Sequence, residues 1–228
     1  MNTKCIQVES EQDFYEQAFH WATSTIREAL ATQDECRIGL SGGSTPKKLY
    51  QMLGKEHLSW EKILWVGVDE RYVPLDDKFS NAGMIRSELI AEAGAPQENF
   101  LHFDTGLGYL ESCLAFEQKL LLLKKSREPI FDGLVLGAGH DGHIAGIFPD
   151  SESAMKKGFL TAQTRTDIFD APERLTLTMD ALTNCKHAII LLKGREKKDI
   201  FEALRSGDTS TPVGKFAQQI ETTVLYVG

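Results

Sequence analysis

Short, largely apolar runs recur along the chain without polar alternation, and a segment with helical periodicity follows most of them. The runs are Lys4–Val8, Cys36–Leu40, Ile63–Val68, Phe131–Leu136, Arg174–Met179, Ala188–Leu192 and Thr222–Val227. A strand with one wet face alternates polar and apolar residues, so strands that do not alternate must be covered on both faces. Helices between them supply that cover and allow parallel pairing. Phe14, Ala18, Trp21, Ala22, Thr25 and Ala29 fall on one face of a helix from about Glu11 to Thr32. Pro46 suits the first turn of a helix reaching Leu53. Ser80-Asn81 caps a helix through Ile90, and Leu107, Leu110, Leu114 and Leu121 mark a longer one. A charged helix runs from Gly194 to about Arg205. The expectation is a doubly wound α/β fold: a mainly parallel sheet with helices on both faces, in a single domain over residues 1–228. No linker, internal repeat or low-complexity tract divides the chain.

Composition narrows the ligands. Lys+Arg number 25 against Asp+Glu 33, a formal charge of -8. Such a surface repels polyanions, so nucleic acid and anionic membranes are not expected partners, while a small anion met by local donors remains open. The longest unbroken apolar run, about six residues around Ala188–Leu192, is far short of the ~20 that span a bilayer. The N-terminus lacks a signal-peptide core. Cys5, Cys36, Cys113 and Cys185 form no CxxC pair and read as reduced thiols of a cytoplasmic protein.

In sheets of this kind ligands bind outside the carboxyl ends of the strands, where the unusual residues lie. Ser41-Gly42-Gly43-Ser44-Thr45-Pro46 joins a strand to a helix. Two glycines allow close backbone approach, and a helix N-terminus offers N–H groups to a phosphate. An ordinary capped turn would look the same, and the Walker pattern is missing. Asp69-Glu70-Arg71 ends a strand, Arg174 opens one, and Lys197 begins a helix. Each of these cations can hold phosphate or can be a surface charge. The run Lys193–Asp199 has no interleaved aromatics and does not suggest nucleic acid.

Gly137, Gly139 and Gly142 satisfy GxGxxG. The mid-chain position and the absence of an acidic residue on a matching second strand argue against a dinucleotide. His140, Asp141 and His143 crowd this turn. At a strand-to-helix junction the His143 imidazole can face the cleft and take a proton from water. Asp141 can orient it or touch substrate, and His140 is read as pointing to solvent. Three metal ligands so close on one turn would not converge, so no metal is expected.

With these blocks in order, and with Tyr72-Val73-Pro74, Phe148-Pro149, Arg174-Leu-Thr-Leu-Thr178 and Gly194-Arg-Glu-Lys197 among them, the chain resembles the family of 6-phosphogluconolactonases and glucosamine-6-phosphate deaminases. The resemblance implies a carboxylic ester hydrolase that opens 6-phospho-D-glucono-1,5-lactone in the oxidative pentose phosphate pathway, without an organic cofactor. It implies His143 as general base with Asp141 beside it, and Arg71 at the lactone end or the phosphate. Ser41, Gly42, Gly43, Ser44 and Thr45 would bind phosphate with Arg174 and Lys197. A monomer or weak homo-oligomer is expected. Arg71-Tyr72-Val73-Pro74 follows the lactonase form, whereas Ile144 and Gly146 stand where hydroxyl residues are usual in lactonases. An amino-sugar phosphate isomerase/deaminase and a non-catalytic sugar-phosphate binding protein are the alternatives.

Overall fold

The computed structural model describes residues 3–228. Seven strands form one parallel sheet in the order β1 (Thr3–Val8), β10 (Glu221–Val227), β9 (Cys185–Lys193), β6 (Phe131–Gly137), β2 (Cys36–Leu40), β3 (Ile63–Gly67) and β5 (Phe100–Leu101). Side chains alternate between its two faces, and both faces are dry. On β6, Val135 joins one core while Leu134 and Leu136 join the other. On β9, Ile189 and Leu191 point to the first core and Ile190 and Leu192 to the second. The missing polar alternation follows directly from this double cover.

Helices α1 (Glu11–Thr32), α2 (Ser44–Leu53) and α3 (Asn81–Ile85, continued by π-helical turns to Ala91) cover the first face. The second face carries α4 (Tyr109–Ser126), α6 (Met179–Leu182), α7 (Lys198–Ser206) and α8 (Pro212–Gln219), with a short α5 (Glu152–Met155) between β6 and the next strand. Ser10 caps α1 by accepting from Asp13 N.

Three expectations need correction. Asp69–Arg71 and Arg174's strand do not belong to the main sheet. They are β4 (Asp69–Arg71) and β8 (Glu173–Leu177), paired antiparallel with each other and with β7 (Thr161–Arg165) in a second, three-stranded sheet. Leu107, Leu110, Leu114 and Leu121 do mark α4 and its approach, but they face outward. Its buried side is Ser112, Cys113, Phe116, Glu117 and Leu120. Finally, no helix follows the turn holding His143. Residues after it fold into isolated bridges, Ala138 with Ile144 and Ile144 with Ile147, around Ala145 at φ 51°.

At the amino end of β6, Asp132 is 1% exposed and accepts five hydrogen bonds. The donors are Gln33 Nε2 (2.6 Å), Arg37 N (2.8 Å), both Arg127 amino groups (3.2 and 2.8 Å) and Lys186 Nζ (2.8 Å). Burial works to raise its pKa, but these donors outweigh it and hold the carboxyl below its ordinary value. All four cysteines are free, and among the described residues no helix is long and apolar enough to cross a membrane.

Candidate active site

β2 and β6 are neighbours, yet the chain leaves them in opposite directions, from β2 to β3 and from β6 toward β9. Strand order therefore reverses between them, and such a switch point leaves a crevice beyond the carboxyl ends. Here it is a cleft of about 500 Å³. Ser41–Thr45, Arg71, His143, Arg174 and Lys197 all line it, so the structure brings together residues that lie far apart in sequence.

The Ser41–Thr45 turn is held from both sides. Ser41 N donates to Val135 O at 2.9 Å, and Tyr50 Oη donates to Ser41 O at 2.6 Å. Ser41 Oγ is buried without a hydrogen-bond partner. Gly43, at φ 105°, precedes α2, and no side chain caps that helix. Its leading N–H groups and the positive end of its dipole therefore face the cleft. A Cβ on Gly42 would overlap the Asn81 amide. That amide donates to Asp69 O (3.1 Å) and Asp69 Oδ2 (2.9 Å), so glycine here lets α3 lock the turn to β4.

Glu70 lies behind this wall rather than in the cleft. Its Oε1 accepts from Arg71 N and Asn81 N, both at 2.7 Å, and Oε2 accepts from Ala82 N (2.7 Å) and Ser80 Oγ (3.1 Å). Burial pushes the carboxyl up to about 7 against the pull of the three N–H groups.

Arg71 and Arg174 are cross-strand partners on β4 and β8. Arg71 Nη1 donates to Phe79 O at 2.8 Å. Arg174 donates from Nε to Ala171 O and from Nη2 to Asp170 O, both at 2.6 Å. Among the described residues neither has a carboxylate within ion-pair reach; carbonyls alone orient them. Burial, with the neighbouring Arg71 charge, lowers the Arg174 pKa. Two guanidiniums held side by side by carbonyls, with donors left over, have the chemistry to meet an anion.

The glycine-rich turn carries another part of the wall. Gly139 N donates to His143 O at 3.0 Å and Gly142 N to Gly139 O at 3.1 Å. A Cβ on Gly139 would collide with both the His143 ring and the Asp141 carboxylate, so glycine is what lets those two meet. His143 Nδ1 lies 2.6 Å from Asp141 Oδ1, which also accepts His143 N at 3.2 Å. Burial opposes ionisation of Asp141, but its bonds from His143 hold the carboxyl below its usual value. An ionised Asp141 can accept a proton-bearing Nδ1, the neutral tautomer that leaves a lone pair on Nε2. Phe148 and Phe169 pack on the imidazole at ring-centroid distances of 4.7 and 5.1 Å.

Asp141 does not line the cleft and stands behind His143, while His140 is exposed. Lys197 Nζ donates to Ala138 O at 2.8 Å, and burial lowers its pKa. It thus sits on the glycine-rich wall. Ile144 is fully buried, and Gly146 N donates to Thr176 Oγ1 at 2.9 Å, so β8 supplies a hydroxyl beside a position that itself has none. Among the described residues no group of three or more His, Cys, Asp or Glu is placed to hold a metal.

Sequence reasoning missed Phe169, which reaches the cleft from the hairpin loop between β7 and β8 and has no motif of its own. It also missed Lys193 as a lining residue, tied to Glu11 at 2.8 Å. The strand-end position of Lys193 was the available signal.

Comparison with known proteins gives consistent relatives. The family model for glucosamine-6-phosphate isomerases/6-phosphogluconolactonase matches residues 9–225. A probable 6-phosphogluconolactonase of Dictyostelium discoideum is 31% identical over 234 residues, covering 97% of this chain and 96% of that protein. The 6-phosphogluconolactonase of Thermotoga maritima is 34% identical over 206 residues, with 89% of each chain covered. The crystal structure of that name from the same organism superposes with a TM-score of 0.88 at 30% identity over 99% of both chains. The 6-phosphogluconolactonase from Trypanosoma cruzi gives 0.87 at 28% identity, over 99% of this chain and 94% of that one.

Proposed function

The chain belongs to the family of glucosamine-6-phosphate isomerases and 6-phosphogluconolactonases, and we propose that it hydrolyses 6-phospho-D-glucono-1,5-lactone to 6-phosphogluconate with His143 as general base. One observation carries this reading. An imidazole oriented by a carboxylate at 2.6 Å shares a cleft with two guanidiniums that lack carboxylate partners. The pair suits proton abstraction from water, and the guanidiniums suit a phosphate monoester and an oxyanion beside it.

In the proposed reaction the phosphate rests on the Ser41–Thr45 amides and on Arg174, with Lys197 adding charge from the glycine-rich wall. Arg71 lies toward the lactone. His143 Nε2 takes a proton from water as the water oxygen attacks the lactone carbonyl carbon. The carbonyl oxygen becomes an oxyanion, stabilised by N–H donors of the cleft walls or by Arg71. Collapse of this intermediate breaks the bond from the carbonyl carbon to the ring oxygen, and His143 returns its proton to that oxygen. Asp141 keeps Nδ1 protonated throughout and compensates the transient imidazolium charge. The chain's own residues complete the cycle without a covalent intermediate.

The decisive assay supplies freshly generated 6-phosphogluconolactone and, separately, glucosamine 6-phosphate. Acid release above the spontaneous rate from the first, with no ammonia from the second, is expected; the reverse pattern would assign the deaminase reaction instead. Arg174→Ala should raise KM by roughly 10–100-fold with a smaller change in kcat, the loss of one charge-assisted bond. An unchanged KM removes Arg174 from the phosphate site.

The pH profile follows from the dyad. Asp141 has a lowered pKa, so its carboxylate survives as pH falls through the ordinary aspartate range. A general base works only while its accepting nitrogen is unprotonated. Hydrolytic rate should fall on the acid side, and a flat profile from about pH 5 to 8, where histidines titrate, would exclude a histidine base.

A further inference from the structure

Helix α4 is apolar on two sides. Cys113, Phe116 and Leu120 face the core, while Leu110 (57% exposed), Leu114 (51%), Leu121 (43%) and Leu122 (68%) face outward. A helix that packs on a sheet ordinarily keeps one polar face. Contiguous exposed leucines mark a surface that is covered in use. None of them lines the cleft.

We propose that this face pairs with the same face of a second copy of the chain, α4 against α4, antiparallel about a two-fold axis at Gln118. The charge pattern of the helix selects both the occupant and the orientation. Glu111 lies in the first turn and Lys124 and Lys125 in the last. Residues equally far from the centre meet across such an axis, so Glu111 at each end faces Lys125 of the second copy. Leu114 packs against Leu122 of the second copy, with Leu121 beside it. Gln118 meets its own counterpart, one amide donating to the other. Parallel pairing would instead set Glu111 against Glu111 and Lys125 against Lys125. The interface is isologous and closes at two subunits. One 18-residue helix gives a seam about 27 Å long, at the small end of interfaces that reach roughly 800 Å² per partner. The dimer is therefore weak and concentration-dependent. This pairing is independent of the reaction assigned to the cleft.

Sedimentation equilibrium of the full chain across a concentration series tests it. The mass should rise from 25.4 kDa toward twice that value. Leu114→Glu, an exposed site that keeps the fold, should weaken association about tenfold or more. Lys125→Glu alone and Glu111→Lys alone should each weaken it, and the double swap should restore it. Glu111 also accepts the Gly108 N–H, so a melting curve for Glu111→Lys separates loss of that cap from loss of the pair. A monomer at every concentration up to about 1 mM, near the weakest measurable association, overturns the proposal. So does a dimer indifferent to Leu114→Glu. Failure of the double swap to restore association overturns the antiparallel register.

Discussion

His143→Ala should lower the rate of lactone hydrolysis by about 10²–10⁴-fold, the range set by removing a positioned general base. The measurement is the initial rate on fresh lactone, corrected for spontaneous opening. KM should change little, because the phosphate contacts lie on other elements of the cleft. Retention of the full rate would exclude His143 as the base. Asp141→Asn refines the test. It preserves shape and a hydrogen bond but no longer stabilises the imidazolium, so kcat should fall while KM holds. Because Asp141 stands behind the ring rather than in the cleft, a rise in KM alone would mean that it touches substrate instead.

Asp132→Ala should destabilise the fold by about 3–5 kcal/mol, the cost of breaking a buried ion pair, and lower the melting temperature by roughly 6–20 °C. The loss is large because Arg127 and Lys186 would lose their shared counter-charge and the Arg37 N–H its acceptor. The carboxylate sits at the amino ends of the strands, opposite the cleft, so folded variant protein should retain its kcat. The pH dependence has a definite sign. A depressed folded pKa contributes stability above the unfolded value, and that contribution is lost as pH falls through the folded one. Wild type should therefore lose more stability on acidification than the variant. Equal slopes in urea titrations at several pH values would remove Asp132 from the account.

The main sheet was legible because double burial erases alternation, and Phe131–Leu136 and Ala188–Leu192 carry that mark plainly. The second sheet was not. β4 has only three residues, and Leu175, Thr176 and Leu177 on β8 are all buried, so their pattern cannot be told from that of a central parallel strand. On α4 the leucine spacing located the helix but did not reveal its core face, because polar Ser112 and Glu117 are buried beside Cys113, Phe116 and Leu120, with Glu117 satisfied by Leu160 N, Thr161 N and Thr161 Oγ1. In the cleft, glycines and hydroxyls after strands were readable from chain order alone. The Asp141–His143 contact was suggested by spacing, whereas the placement of Phe169 depends on how a hairpin loop leans and leaves no local trace.

The two sheets meet at the cleft. The histidine–carboxylate pair hangs from β6 of the large sheet, and both arginines hang from the small one, which is tied to the body through Leu177 N donating to Val68 O. The two foundations touch where Phe169 of the β7–β8 hairpin packs on the His143 ring and Gly146 N donates to Thr176 Oγ1. Changes in the β7–β8 hairpin, which supplies the Asp170 and Ala171 carbonyls that aim Arg174 and the Phe169 ring that packs on His143, should alter the guanidinium and the imidazole together. An architecture of this kind makes substrate preference and proton transfer, as proposed, change in concert.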